Sequence, residues 1–268
     1  VGVSRIEQQT FENCESLASA TLPEGLIFIG SYAFKDNYAL ASINIPSTVT
    51  EIQNQAFYYD RSLKTVTLPE GLTTLGTSAF YGCSGLTAIN IPQSLTKIPN
   101  GAFSSCSSLS TVTIPEGVVS IGGDAFYNCS SLRIFEWPST LSFVGSSNLY
   151  SDRISIISRA TTPPTIENGC SDRLFHVPAG RGALYKELYP NNIIIDGEGT
   201  QVKVAIAEAG TLGEEVLKQV SNLADVNHLT VSGTINATDI ESIKNSSPNL
   251  ITLDLSGVNM KDIPIDFM

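Results

Sequence analysis

One spacing governs more than half of this chain. Phe11, Phe34, Phe57, Phe80, Phe103 and Phe126 follow one another at intervals of 23, and Leu149 takes the seventh place. Pro23, Pro46, Pro69, Pro92, Pro115 and Pro138 keep the same step, as do Leu17, Leu40, Leu63, Leu86, Leu109 and Leu132. Three columns without an insertion define an ungapped array from about Val3 to Tyr150. A period of this length marks a stacked-repeat architecture. A unit so short cannot enclose its own apolar side chains, so each copy needs a neighbour on either side. The expected fold class is therefore an α/β repeat: a solenoid of parallel strands built from 23-residue coils.

One unit, Leu63 to Gly85, reads LKTVTLPEGLTTLGTSAFYGCSG. Leu63, Val66 and Leu68 are apolar and Thr65 and Thr67 flank Val66, the alternation of a short strand with one face inward. Pro69 stops that strand because it has no N–H to give to a ladder. Glu70-Gly71 turns the chain, Leu72 and Leu75 return to the interior, and Ala79-Phe80 is expected on a short helical turn. Cys83 closes the coil. Strand spacing places equivalent atoms of adjacent coils about 4.8 Å apart.

The pattern LxxVxLPxxLxxLGxxAFxxC, seen from Leu63 to Cys83, resembles the BspA-like leucine-rich repeat family of bacterial, Bacteroides-type surface proteins. The resemblance covers residues 1–150 with six nearly intact units. It implies a curved right-handed solenoid and secretion to the cell surface, with outer-membrane anchoring of the full-length protein. It also implies attachment to a host or microbial surface protein or glycan.

Beyond Tyr150 the period fails. Arg153–Ser158, Leu174–Pro178 and Asn192–Ile195 have the composition of further short strands, and the phrases ATTPPTI, HVPAG and LYKELYP resemble the tail closing such arrays. A cap over residues 151–197 would cover the apolar face and open ladder of the last coil. Phe135 and Trp137, larger than their column equivalents, fit that plug. Past Asp196-Gly197-Glu198-Gly199, a second leucine-rich repeat module is expected over 198–268. Leu229-Thr230-Val231-Ser232-Gly233 recurs as Leu253-Asp254-Leu255-Ser256-Gly257, 24 residues later. Thr211/Glu214 and Thr238/Glu241 have the form of capping boxes. In the resembled family such a module normally precedes the array; here it comes last and is truncated. With Val1–Phe11 a half-unit, both ends are expected to be cuts from a longer tandem protein.

Composition removes several functions. With 15 Lys+Arg against 26 Asp+Glu, the net charge is −11, the wrong sign for a phosphate backbone, so no nucleic-acid partner is expected. No apolar run approaches the roughly 20 residues of a membrane span. Cys14, Cys83, Cys106 and Cys129 share one column with Asn37 and Asp60. A position that accepts Cys, Asn or Asp is one whose side chain meets backbone groups inside a turn, and the substitutes argue against a required disulfide. Without CxxC or a histidine in the array, no metal site is expected, and nothing calls for a cofactor. His176 and His228 are isolated from any nucleophile motif. Glu24, Glu70 and Glu116 share a turn column and read as solvated turn acids. No enzymatic constellation emerges.

The strand face is the candidate binding surface. Its outward positions include Ser42, Asn44, Thr65, Thr67, Asn90, Thr111, Thr113 and Glu136, a sheet of small hydroxyl and amide groups. Solenoid strand faces commonly hold partners; equally, Ser and Thr satisfy strand propensity on a wet face. A second stripe, Tyr58, Tyr81, Tyr127 and Tyr150, follows the phenylalanine column by one residue and either shields the coil edge or grips a ligand. The expectation is a non-enzymatic binding or adhesion protein, with a structural spacer as the alternative.

Overall fold

The computed structural model describes residues 2–148, 154–168, 173–196, 200–206, 210–217, 226–246 and 252–260. It forms two compact units, Val1–Ile194 and Ile195–Met268.

In the first unit each coil contributes two short parallel strands. The predicted strand forms a nine-stranded sheet running from Ser19–Thr21 through Ser42–Asn44, Thr65–Val66, Ala88–Asn90, Thr111–Thr113 and Ile134–Trp137. Ser155–Ser158, Leu174–Val177 and Ile193–Asp196 complete it. As far as Ile134–Trp137 its register is the sequence period itself: Thr111 pairs with Ala88, Val112 with Ile89 and Thr113 with Asn90; beyond it the partners are closer, as Ile134 with Ser155 and Ser155 with Leu174. The second strand, from the Thr74-Leu75 column, is an addition to the sequence reading. It makes two four-stranded ladders, Arg5–Ile6 to Thr74–Leu75 and Lys97–Ile98 to Thr165–Ile166, with no pairing between Thr74–Leu75 and Lys97–Ile98.

The six phenylalanines lie in a stack. Successive ring centroids from Phe11 to Phe126 are 5.2, 5.4, 4.9, 5.7 and 5.5 Å apart, with interplanar angles between 3° and 22°. Phe34, Phe57, Phe80 and Phe103 are essentially inaccessible, whereas Phe11, on the first coil, is 38% exposed. These offset-stacked rings supply both area and orientation.

The helical turn expected at Ala79-Phe80 is not formed. Ser78 has φ 55° and Gly82 has φ 73°, and the same two positions are left-handed in most other coils, as at Tyr32 and Asp36 or Gln55 and Tyr59. Two left-handed residues four apart interrupt any helical run. The backbone there bonds across coils instead: Phe57 N–H donates to Ala79 O and Phe80 N–H to Ala102 O, each at 2.8 Å.

The stack ends at a change of geometry. Phe126 meets Phe135 edge-on at 5.0 Å, and Trp137 packs edge-on against Phe175 at 5.6 Å. Phe135, Trp137, Phe175 and Tyr185, the last on the helix Gly182–Leu188, are fully buried. The Tyr185 hydroxyl donates to Ala160 O at 2.8 Å and lies 2.7 Å from Ser158 Oγ. The larger residues of the last coil thus anchor an aromatic plug.

The second unit is a three-stranded parallel sheet, Thr200–Ile206, Val226–Ile235 and Thr252–Met260, with helices Leu212–Leu217 and Ala237–Ser246. Leu229 pairs with Leu253, the 24-residue offset seen in the sequence. The second capping box lies two residues earlier than its sequence signature. Asn236 Oδ1 accepts the N–H groups of Thr238 and Asp239, and Asp239 Oδ2 accepts Asn236 N–H. Asn is as good an N-cap as Thr, and Asp at the third helical position can reach back like Glu.

Candidate functional site

The nine-stranded sheet turns Ser42, Asn44, Thr65, Thr67, Thr111 and Thr113 to solvent, while Ile43, Val66, Ile89 and Val112 point inward. Strand alternation alone separates the two sets. Between the rows lies an open depression of about 850 Å³, lined by Thr65, Thr67, Glu70, Asn90, Gln93 and Thr113 among others.

Two of the candidates are engaged. Asn90 Oδ1 accepts Leu68 N–H and its Nδ2 donates to Leu68 O, both at 2.9 Å, so its amide clamps the preceding coil. Glu136 pairs with Arg159 at 2.7 Å on the open surface, where ion pairs contribute little. The turn acids are not simply solvated. Glu70 Oε2 accepts Gln93 N–H at 3.3 Å, and Glu116 accepts both Ser139 N–H and Ser139 Oγ–H. The hydroxyl and amide of Ser139 lower the Glu116 pKa below the usual carboxylate value.

The cysteine column faces backbone groups, as its Asn and Asp substitutes imply. Cys83, Cys106 and Cys129 are buried free thiols whose Sγ atoms donate to Phe57 O, Phe80 O and Phe103 O, at 3.1, 3.2 and 3.2 Å. Asn37 does the same through Nδ2, to Phe11 O at 3.0 Å. Burial pushes the thiols of Cys83 and Cys106 well above their ordinary pKa, and that of Cys129 to about 12. Cys14 is exposed; Cys170 lies outside the described residues.

Tyr58 and Tyr81 stack at 4.9 Å, and Tyr59 meets Tyr58 edge-on at 4.6 Å. Each is half-buried along the coil edge. Tyr150 lies outside the described residues. His176 is buried within Leu174–Val177; the side chain of His228 is not described. Among the described residues no group of His, Cys, Asp and Glu is arranged to hold a metal, and no helix is long and apolar enough to cross a membrane.

Coils in unbroken 23-residue register, a strand face with hydroxyl rows and an inward leucine, isoleucine and phenylalanine core define a leucine-rich repeat solenoid. A family profile described as BspA type leucine rich repeat region, in 6 copies, matches residues 1–110 and 96–172. The chain belongs to that family. Its proteins are often surface proteins involved in binding, and the fold is of the protein-binding rather than the enzymatic type. No curated protein matches the chain. Among solved structures, it is similar to a leucine-rich repeat protein of T. pallidum, at 26% identity over 48% of this chain and 72% of that one, TM-score 0.41. A leucine-rich repeat protein from Bacteroides ovatus aligns at 15% identity over 97% of this chain and 88% of that one, TM-score 0.41. A leucine-rich cell surface protein from Faecalibacterium prausnitzii aligns at 24% identity over 72% and 63% of the two chains, TM-score 0.36.

Proposed function

We propose that this chain is a non-enzymatic binding or adhesion module of the cell surface, which presents its strand face to a protein or glycan. The observation that supports this reading most is the row of exposed Thr65, Thr67, Thr111 and Thr113, of which Thr65, Thr67 and Thr113 line one open depression. Small hydroxyl groups at fixed spacing match the repeated donors and acceptors of an extended polymer. Asn90 contributes its position but not a free amide, since both ends of that group are engaged. Partner capture by the purified chain on an array of matrix proteins and polysaccharides tests this. Thr65→Arg and Thr111→Arg should abolish capture without altering thermal unfolding; capture indifferent to both removes this face as the site.

The alternative is a spacer that holds another module away from the cell. The uninterrupted phenylalanine stack favours stiffness along the array. An array screen without any captured partner, together with a full-length protein carrying a separate binding domain, would favour that role.

A further inference from the structure

The interruption of the second ladder has a single-residue cause. In every other coil a backbone N–H at the column after the second strand donates to the coil before. Gly30 donates to Ile6 O, Gln53 to Ile29 O, Gly76 to Ile52 O, Gly122 to Ile98 O and Gly145 to Ile121 O, at 2.7 to 2.9 Å. Glu7, in the first coil, has no coil before it, and the other member of the column is Pro99, which has no N–H. Leu75 O therefore loses its ladder donor. The break extends further back: Thr50 N–H donates to Ile27 O, Thr73 N–H to Thr50 O and Val119 N–H to Thr96 O, but no such bond joins Thr96 N–H to Thr73 O. Space contributes as well. A Cβ added at Gly76 or Gly145 would lie 2.3 or 2.4 Å from backbone nitrogen of the preceding coil. Gln53 carries a Cβ and keeps its bond, so the missing donor is decisive. The strand-face ladder is intact at the same level, where Thr65 pairs with Ala88 and Val66 with Ile89. The coils are unpaired on one side only.

A cleft of about 450 Å³ opens there, within the range of small-ligand sites. Its walls are Thr73, Thr74 and Leu75 on one coil and Leu95, Thr96, Lys97, Pro99 and Asn100 on the next, with Phe143 reaching it from the far side. Backbone groups of its lining residues stand without ladder partners on both walls, Leu75 N–H, Thr73 O and Leu75 O on one and Thr96 N–H, Lys97 N–H and Lys97 O on the other, and Thr73, Thr74 and Thr96 add hydroxyls. In a chain of net charge −11, no carboxylate lines it, and Lys97 is its one charged group. The acid nearest in register, Glu51, pairs with Thr74 in the strand beyond and accepts a bond from Gln53.

We infer that this cleft is a second binding site, distinct from the strand face, that takes a negatively charged saccharide. Sugar hydroxyls supply the rotatable donors that the orphan carbonyls lack. The Phe143 ring offers an apolar face to a pyranose, and Lys97 pairs with a carboxylate or sulfate. A peptide strand fits less well, because Pro99 offers its ladder nothing.

Calorimetric titration of the whole chain tests this with trigalacturonate, a chondroitin sulfate tetrasaccharide, neutral cellotriose and a penta-aspartate peptide. Binding of either anionic saccharide, at least tenfold tighter than cellotriose or the peptide, is expected, and the one preferred identifies carboxylate or sulfate as the recognised group. Lys97→Gln should erase that preference. Pro99→Gly should close the ladder, seen as a slowly exchanging amide at position 99, and weaken binding at least tenfold; Thr65→Arg should leave it unchanged, separating this site from the strand face. The inference is overturned by any of four results. These are no saccharide binding at millimolar concentration, equal binding of cellotriose, preference for the peptide, or an unaltered affinity in Pro99→Gly. A freely exchanging amide at position 99 would equally overturn it, by showing that proline does not open the cleft.

Discussion

Asp60 Oδ1 accepts the backbone N–H of Asn37, one coil earlier, at 2.9 Å, and both side chains are sealed from solvent. The other carboxylate oxygen, Oδ2, and the Asn37 Oδ1 have no partner. Every neighbour of Asp60 in its column gives a hydrogen to a carbonyl 26 residues earlier: Asn37 through its amide, Cys83 and Cys106 through their thiols. A carboxylate cannot do this, whereas a neutral carboxylic acid can. Burial raises the Asp60 pKa from 3.8 to about 8, against the lowering effect of the Asn37 N–H.

Stability is therefore expected to fall with rising pH across the neutral range. A folded-state pKa above the unfolded one means that the folded chain holds the extra proton. This contribution is complete below about 3.8 and is lost as pH climbs through about 8. At about 1.4 kcal/mol per unit, the difference between pH 5 and pH 8.5 is on the order of 4 kcal/mol. Urea unfolding at the two pH values measures it, and Asp60→Asn, which supplies a donor at any pH, should flatten the profile. Glu12, whose pKa is lowered chiefly by its hydrogen bond from Lys35, acts only at acid pH, below this window. A wild-type midpoint that does not move between pH 5 and 8.5 would sink the assignment.

Phe80→Ala should be among the costliest substitutions in the array. Its ring is fully buried and stacks on Phe57 at 4.9 Å and Phe103 at 5.7 Å, so roughly 3–5 kcal/mol is at stake. Phe11→Ala removes a 38% exposed ring with one stacking neighbour and should cost well under half as much. Chemical denaturation of the two variants side by side gives the ratio.

Thiol alkylation followed by peptide mapping should modify Cys14 in the native state and leave Cys83, Cys106 and Cys129 untouched until the chain unfolds. The three are buried, their pKa values are raised, and each is held in a hydrogen bond. The thiolate is the reactive form. Native labelling of Cys106 at the rate of Cys14 would contradict the packing.

Asp239→Ala should destabilise the second unit selectively. The Asp239 carboxylate is buried and accepts N–H groups from Gly210, Leu212 and Asn236 at 2.7, 2.9 and 3.0 Å. It thereby joins the starts of both helices of that unit. Three donors lose their acceptor at once, and the buried one, Leu212 N–H, alone costs roughly 1–3 kcal/mol. Hydrogen exchange should quicken in residues 210–217 and 226–246 while the array amides keep their protection; Asp239→Asn should recover part of the loss.

What the sequence disclosed was whatever repeats. The phenylalanine, proline and leucine columns carry the period openly, and with it the register of the main sheet as far as Ile134–Trp137, because strand partners there stand one period apart. The second ladder was less visible: two residues per coil leave almost no alternation to read. The left-handed positions beside each phenylalanine were hidden because Gln, Tyr, Ser, Gly and Asp share those columns, and backbone geometry rather than residue type selects them. On the candidate face, period-2 alternation identified the outward side chains correctly as a geometric set. It could not reveal that the Asn90 amide is occupied, since that depends on the depth at which the side chain settles over Leu68. Pro99 was legible in principle, the one proline in a column otherwise of Gly, one Gln and one Glu.

The bonding offsets carry an evolutionary consequence. The hydrogen bonds between coils reach the immediate neighbour at displacements of 22 to 26 residues, so excising or duplicating one complete unit of the gene leaves surviving partners matched. Array length can then drift by recombination between near-identical segments, lengthening or shortening the molecule's reach without any need to redesign its interior.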